Sequence, residues 1–431
     1  MIISKKDRVI LRELARELAE IATLPVQQQK ADMWRRLNQL EHIKPMVWIN
    51  EIPWHEIGPE VELKTGNEFC RTQERWLRHI LYQWKHMPCD MVVEPKVFCP
   101  IVFDDSGFGI ETHMVHPQGD NGFSDMIVVT GSSRFEPVIK NEEDIEKIQM
   151  PQVKIDREAT EHNYELLIDI FGDILSVEKR GIGYVDVMEG WENNLFFWFA
   201  PWDYLVQWLG VEESLTYLVT RPKFVHRVME RLVDAWLCRL DQYEKLGILT
   251  LNNGAYRIGS GGFGFTDELP QVDFDSAHVR AIDLWGFSAA QIFTCVSPEM
   301  HEEFGLQYER RWLERFGLTY YGCCEPLHKK IHILESISNL RKISISPWAD
   351  REEAAANIGD KYILSLKPNP AIFAVENWNP EVARAELYRD LEKTKGCIVE
   401  IIMKDISTCR KEPRRLWEWA DIAMKVTERF A

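Results

Sequence analysis

The stretch Leu318-Thr319-Tyr320-Tyr321-Gly322-Cys323-Cys324-Glu325-Pro326-Leu327 decides how the fold is read. Leu318 to Cys323 is apolar and aromatic and reads as a buried strand. Glu325-Pro326 breaks it, and Leu327 to Ser338 has the periodicity of a helix. The same unit recurs downstream. Strands are expected at Lys342 to Ser346, Tyr362 to Ser365 and Ile398 to Met403, with helices at Arg351 to Ile358, Pro380 to Thr394 and Arg414 to Ala431. Upstream, Met46 to Glu51, Val97 to Phe103, Ile182 to Met188 and Ile248 to Asn252 read as strands. Arg71 to Lys85, Glu158 to Phe171, Pro222 to Leu246 and Pro298 to Phe316 read as helices. Strands that alternate with helices form a parallel sheet, because parallel neighbours need a helical crossover. Eight such strands predict a closed α/β barrel, the (β/α)8 TIM barrel, over residues 45–431. Residues 1–44 read as an N-terminal helical extension, Asp7 to Ala22 and Lys30 to Glu41. The Gly-rich segment 104–138 reads as a loop or hairpin insertion over one mouth, with Met126 to Val129 as its strand.

Composition narrows the function classes. Of 431 residues, 45% are hydrophobic, enough for a large core, so a disordered chain is excluded. The formal charge is −17, which disfavours nucleic-acid backbones as the principal ligand. No apolar run reaches the length of a membrane span. The first 22 residues are charged throughout, with no signal-peptide centre, so a cytoplasmic location is expected. The nine cysteines contain no CxxC pair, which argues against a disulfide framework. The sequence admits a homodimer.

A barrel of this kind carries its chemistry where strands end. The expected strand ends hold carboxylates, amides, thiols and amines beside Gly and Pro, as a small-molecule site requires. The candidate catalytic groups are Glu189, Glu325, Lys404 and Asp405. The candidate substrate-binding groups are Glu51, Trp54, His55, Trp191, Asn252, Asn253, Tyr256, Lys367 and Asn369. A thiolate at a strand end ligates zinc or acts as a nucleophile, so Cys323 and Cys324 are candidate metal ligands. The bland reading of each residue is that polar strand ends cap the following helix, and that free cysteines are buried and inert. Gly259 to Gly264 matches a dinucleotide-type glycine pattern but leads into no helix. It reads as a flexible loop near the site, with no nucleotide role. His113 and His116 read as a surface pair.

Ser297 to Phe304 followed by Tyr308-Glu309-Arg310-Arg311, Trp208-Leu209-Gly210 with Pro222 to Met229, and Phe171 to Leu175 together resemble the uroporphyrinogen decarboxylase superfamily. The likeness runs in order from about Pro45 onward and itself implies a (β/α)8 barrel. The superfamily includes porphyrinogen decarboxylases and zinc-dependent methyltransferases that work with corrinoid proteins. The decarboxylases carry an arginine loop after their first strand. This chain has Asn50-Glu51-Ile52-Pro53-Trp54-His55-Glu56 there, and Glu51 and Glu56 would repel a polycarboxylate tetrapyrrole. The methyltransferases carry His-x-Cys at the strand matching Leu318 to Cys323. This chain keeps the thiol and lacks the histidine, so a zinc set would combine Cys323 or Cys324 with oxygen donors such as Glu325, Asp405 or Glu189, or with a distant histidine.

Tyr-Gly-Cys-Cys-Glu-Pro-Leu, with Lys367-Pro368-Asn369-Pro370 and Lys404 to Thr408, looks like the corrinoid-linked O-demethylase branch. The resemblance implies transfer of a methyl group from a small methylated compound, such as an aryl methyl ether, to a partner corrinoid protein, with zinc as the implied cofactor. The chain has no corrinoid-binding motif of its own, so the corrinoid must arrive on that partner. The alternatives are a metal-free decarboxylase or lyase, and a non-catalytic protein that binds a corrinoid or another small ligand.

Overall fold

The computed structural model describes residues 3–115, 134–183 and 198–430. Eight parallel strands are numbered here: β1 (Met46–Ile49), β2 (Lys96–Pro100), β3 (Ser176–Arg180), β4 (Trp285–Ser288), β5 (Leu318–Tyr321), β6 (Leu340–Ile345), β7 (Ile363–Leu366) and β8 (Ile398–Met403). Six of them form one parallel sheet in the order β1-β8-β7-β6-β5-β4, and β2 pairs in parallel with β3. A single parallel bridge, Ile182 to Leu249, continues β3 toward residues 248–250. From there the Asn252 side chain reaches β4. The arrangement is α/β and barrel-like, and no ladder among the described residues joins β1 to β2.

The strand expected at Ile248 to Asn252 is therefore reduced to one bridge, and β4 was not anticipated. Gly286 lowers the strand signal of Trp285-Gly286-Phe287-Ser288. The ring of Phe316 explains that glycine, because a Cβ at Gly286 would lie 2.5 Å from it. Ile182 to Met188 starts too late, since β3 ends at Arg180, and its remainder falls outside the described residues. The helix Pro222–Leu246 matches its expectation. Pro298 to Phe316 is helical but interrupted by a π turn at Glu302–Leu306, and Leu327 to Ser338 keeps only the short helix Ile331–Leu334.

Period-2 alternation sorts side chains between the two faces of the sheet. Val47, Ile49, Ile343, Ile345, Leu364, Leu366, Ile401 and Met403 face the surrounding helices. Met46, Trp48, Ile363, Ile398 and Ile402 face the interior. A plug fills that interior. Phe263 packs 4.6 Å from Trp48 and 5.5 Å from Trp34, which lies on the N-terminal helix Pro25–Asn38. Asn38 donates to the carbonyls of Phe263 and Phe265, so the helical extension grips the plug from below.

The segment expected as a flexible glycine loop is this plug. A Cβ at Gly261 would fall 2.4 Å from Tyr320, and one at Gly262 would fall 2.5 Å from Trp34. Close approach of backbone to side chain thus requires glycine here. In the insertion, Met114–Val115 pairs antiparallel with Arg134–Phe135, a hairpin stem. Met126 to Val129 and His116 lie outside the described residues.

Candidate functional site

The site is built where β1, β5 and β8 end, and its centre is Lys404. Ile49 pairs with Met403 and the Asn50 N–H bonds to the Met403 carbonyl, so the next position, Lys404, shares the interior-facing parity of Glu400 and Ile402. Its Nζ donates to Asp405 Oδ2 at 2.5 Å. It lies 3.7 Å from Cys323 Sγ, 4.0 Å from Cys324 Sγ and 3.8 Å from Glu51 Oε2. Burial opposes its charge, but the surrounding thiols and carboxylates outweigh that and raise Lys404 above the ordinary lysine range.

Glu51 and Asp405 both take positive φ, 52° and 58°. That conformation is uncommon for residues other than glycine and marks a backbone held by its surroundings. The two are tied together, because the Asp405 N–H donates to Glu51 Oε2 at 2.9 Å. Glu51 Oε1 accepts from Arg257 at 2.6 Å, and Arg257 comes from the plug. Burial would raise Glu51, yet Arg257 and Lys404 hold it well below the usual carboxylate range. Sequence reasoning made this corner acidic and repulsive. The structure neutralises it with an arginine two hundred positions away in sequence, which no local pattern could show. Asp405 is half-exposed, and burial of its surroundings raises it despite Lys404.

The two thiols differ. Their sulfurs lie 3.5 Å apart. The contact with Cys323 lowers Cys324, while the same contact and burial push the Cys323 thiol up. Cys324 is the more open of the two and lies 3.8 Å from Asp405 Oδ2. Glu325 is fully buried beneath them. It accepts from the N–H groups of Cys323 (2.9 Å) and Ala290 (3.1 Å), and burial raises it. Its carboxylate holds the loop that presents the thiols.

A second cluster sits deeper in the interior. Lys342 and Ser365 both donate to Glu400, at 2.8 and 2.6 Å, and the plug's Gly262 N–H adds a third bond. Lys367 bonds to Ser365 Oγ (2.5 Å) and to the Tyr320 hydroxyl (2.8 Å), and burial lowers its amine to about 7.

Other expected binding residues are engaged elsewhere. Asn252 accepts from the Trp285 N–H and donates to the Trp285 carbonyl, so both amide atoms splice the chain to β4. Asn253 donates to the Leu269 carbonyl. Tyr256 packs against Phe98 and Arg180, and Trp54 stacks on His79 at 3.8 Å. His55 is exposed beside Glu56. Asn369 caps the turn at Pro370–Phe373 and lines a separate polar cavity of about 370 Å³ with Arg351, Asp390 and Lys393. Glu189 and Trp191 lie outside the described residues.

Among the described residues, no three His, Cys, Asp or Glu side chains are placed to hold a metal ion. The Lys404 ammonium stands between the sulfurs and the carboxylates, Glu325 is spent on backbone N–H groups, and Glu51 is spent on Arg257. This donor set does not fit tetrahedral zinc.

No family model matches the chain, and no curated protein matches it either. Among solved structures, the chain is similar to a methyltransferase from Methanosarcina mazei, at 9% identity and a TM-score of 0.48, over 93% of this chain and 99% of that one. Among the described residues, no helix is long and apolar enough to cross a membrane.

Proposed function

We propose that this chain is a methyltransferase that moves a methyl group from a small methylated donor, an aryl methyl ether by preference, to a partner corrinoid protein. The observation that carries the reading is the Lys404 ammonium, fixed at a strand end between Asp405 and the two thiols. Breaking a methyl–oxygen bond leaves negative charge on a poor leaving group, so the site must neutralise that oxygen as the bond opens. Lys404 supplies a permanent, largely desolvated cation, and Glu51 with Arg257 keeps it in place. Asp405, half-open to the mouth, is the carboxylate that holds the Lys404 ammonium toward the departing oxygen. The methyl group leaves with neither bonding electron, and the oxygen keeps the pair as a phenolate stabilised by a hydrogen bond from Lys404. A corrinoid on the docked partner supplies the reduced metal that accepts the methyl group. No step is assigned to zinc.

The test is to incubate the protein with a panel of methoxybenzenes, with and without a reduced corrinoid protein, and to quantify the phenol formed. Phenol that appears only with the acceptor supports the reading. Methyl loss without any acceptor, or carbon dioxide released from carboxylated substrates, overturns it.

A further inference from the structure

We propose that Asn50, Lys404, Lys367 and Ser346 form a binding subsite for a small organic hydroxycarboxylate at the floor of the mouth. The inference rests on the reading above for the place of the site, and adds the class of molecule it holds.

Four neighbouring strands, β1-β8-β7-β6, present these residues at their ends. Asn50 follows Trp48 by two positions and Ser346 follows Ser344 by two. Lys404 follows Ile402, and Lys367 follows Ser365. Trp48 and Ile402 belong to the interior packing, while the intervening Ile49, Ile345, Leu366 and Met403 face outward. The ladder continues through these ends, because Asn50 N–H bonds to the Met403 carbonyl and Lys367 N–H to the Ile345 carbonyl. All four side chains therefore belong to the interior face.

Asn50 is 1% exposed, yet neither its Oδ1 nor its Nδ2 has a hydrogen-bond partner. Ser346 is fully buried, and its Oγ has none either. Buried polar atoms in folded proteins are nearly always paired, and a leucine would fill the Asn50 position without that cost. Two unpaired groups at the two ends of one polar arc point to a ligand that completes them.

The chemistry of the arc names the class. Asn50 Nδ2 and Ser346 Oγ are the unpaired donors, and the two amines, whose own N–H groups are engaged within the protein, add positive charge beside them, which calls for an acceptor-rich group. Lys404 and Arg257 balance Asp405 and Glu51 in charge, whereas Lys367 has only hydroxyl and carbonyl oxygens within hydrogen-bond distance. One anionic group therefore fits. A carboxylate takes the donors, and the unpaired Asn50 Oδ1 accepts a hydroxyl of the same molecule.

The test is calorimetric titration of the whole chain, with no acceptor present, using acetate, benzoate, 4-hydroxybenzoate and benzamide. The expected result is that 4-hydroxybenzoate binds more tightly than benzoate, and benzamide at least tenfold more weakly. Asn50→Leu should weaken 4-hydroxybenzoate at least tenfold while the melting temperature of the ligand-free protein stays level or rises. Ser346→Ala should weaken it severalfold. If none of the carboxylates binds, if benzamide equals benzoate, or if both variants bind like the parent, the subsite is refuted. Binding is read without methyl transfer, so a protein that binds these acids but demethylates nothing contradicts the proposed function alone.

Discussion

Two lysine–carboxylate clusters lie within the same set of strands, one above the other, and they do opposite work. Lys342 and Glu400 are both fully buried, and each carboxylate oxygen of Glu400 has protein donors. Lys404 is equally buried, but its Asp405 partner is half-exposed and its other neighbours are two thiols and a shared Glu51. The lower pair is closed: every charge is answered by another part of the chain. The upper cluster is open on one side. Residue type does not separate structure from chemistry here; what separates them is whether the last hydrogen-bonding valence is filled from within.

Breaking the closed pair should have the largest effect. Glu400→Ala leaves the Lys342 ammonium buried without its counter-ion and should cost about 3–5 kcal/mol of stability in urea unfolding. The double change Lys342→Met with Glu400→Leu should recover most of that loss. If Glu400→Ala were as stable as the parent, the lower cluster would not be the closed one.

Breaking the open cluster should instead cost activity. Lys404→Met should lower the rate of phenol release by about 10²–10³-fold, the usual scale for losing a preorganised electrostatic partner. Its urea midpoint should move less than that of Glu400→Ala.

The loop after Asp405 sharpens the comparison. Glu56 accepts from the Thr408 hydroxyl (2.6 Å) and from the N–H groups of Cys409 (2.7 Å) and Lys411 (3.0 Å). Burial works against its charge, but these donors hold its carboxyl at about 2. A depressed carboxyl stabilises the fold above its unfolded pKa and loses that contribution as pH falls toward its folded value. The parent should therefore lose stability between about pH 4.5 and 2, and Glu56→Gln should remove part of that slope. Unchanged acid melting curves would show that Glu56 does not secure this loop.

The smallest effect concerns the thiols. Cys324 should react with a neutral alkylating reagent before Cys323, and Lys404→Met should slow Cys324 severalfold, because a nearby cation favours the thiolate. Equal labelling of both positions, read by peptide mass, would contradict the asymmetry.

Much of this was legible along the chain, and the rest was hidden for identifiable reasons. The alternation after Leu318 revealed the parallel strands, because each carries its own apolar run. Cys323, Cys324, Lys404, Asp405 and Glu51 stood out because strand ends concentrate polar groups, and the structure brings them together. Arg257 was invisible because only the folded plug carries it to Glu51. Asn50 and Ser346 looked ordinary, since an unpaired amide is a property of its surroundings. Asn252 was read as a binding group because nothing local shows that β4, whose strand signal Gly286 weakens, consumes its amide.

The most direct measurement is phenol release from a methoxybenzoate in the presence of a reduced corrinoid protein, compared between the parent chain, Lys404→Met and the double variant Lys342→Met with Glu400→Leu. The account predicts acceptor-dependent release by the parent, near-complete loss in Lys404→Met, and release within a fewfold of the parent in the folded double variant. Full activity in Lys404→Met would contradict it.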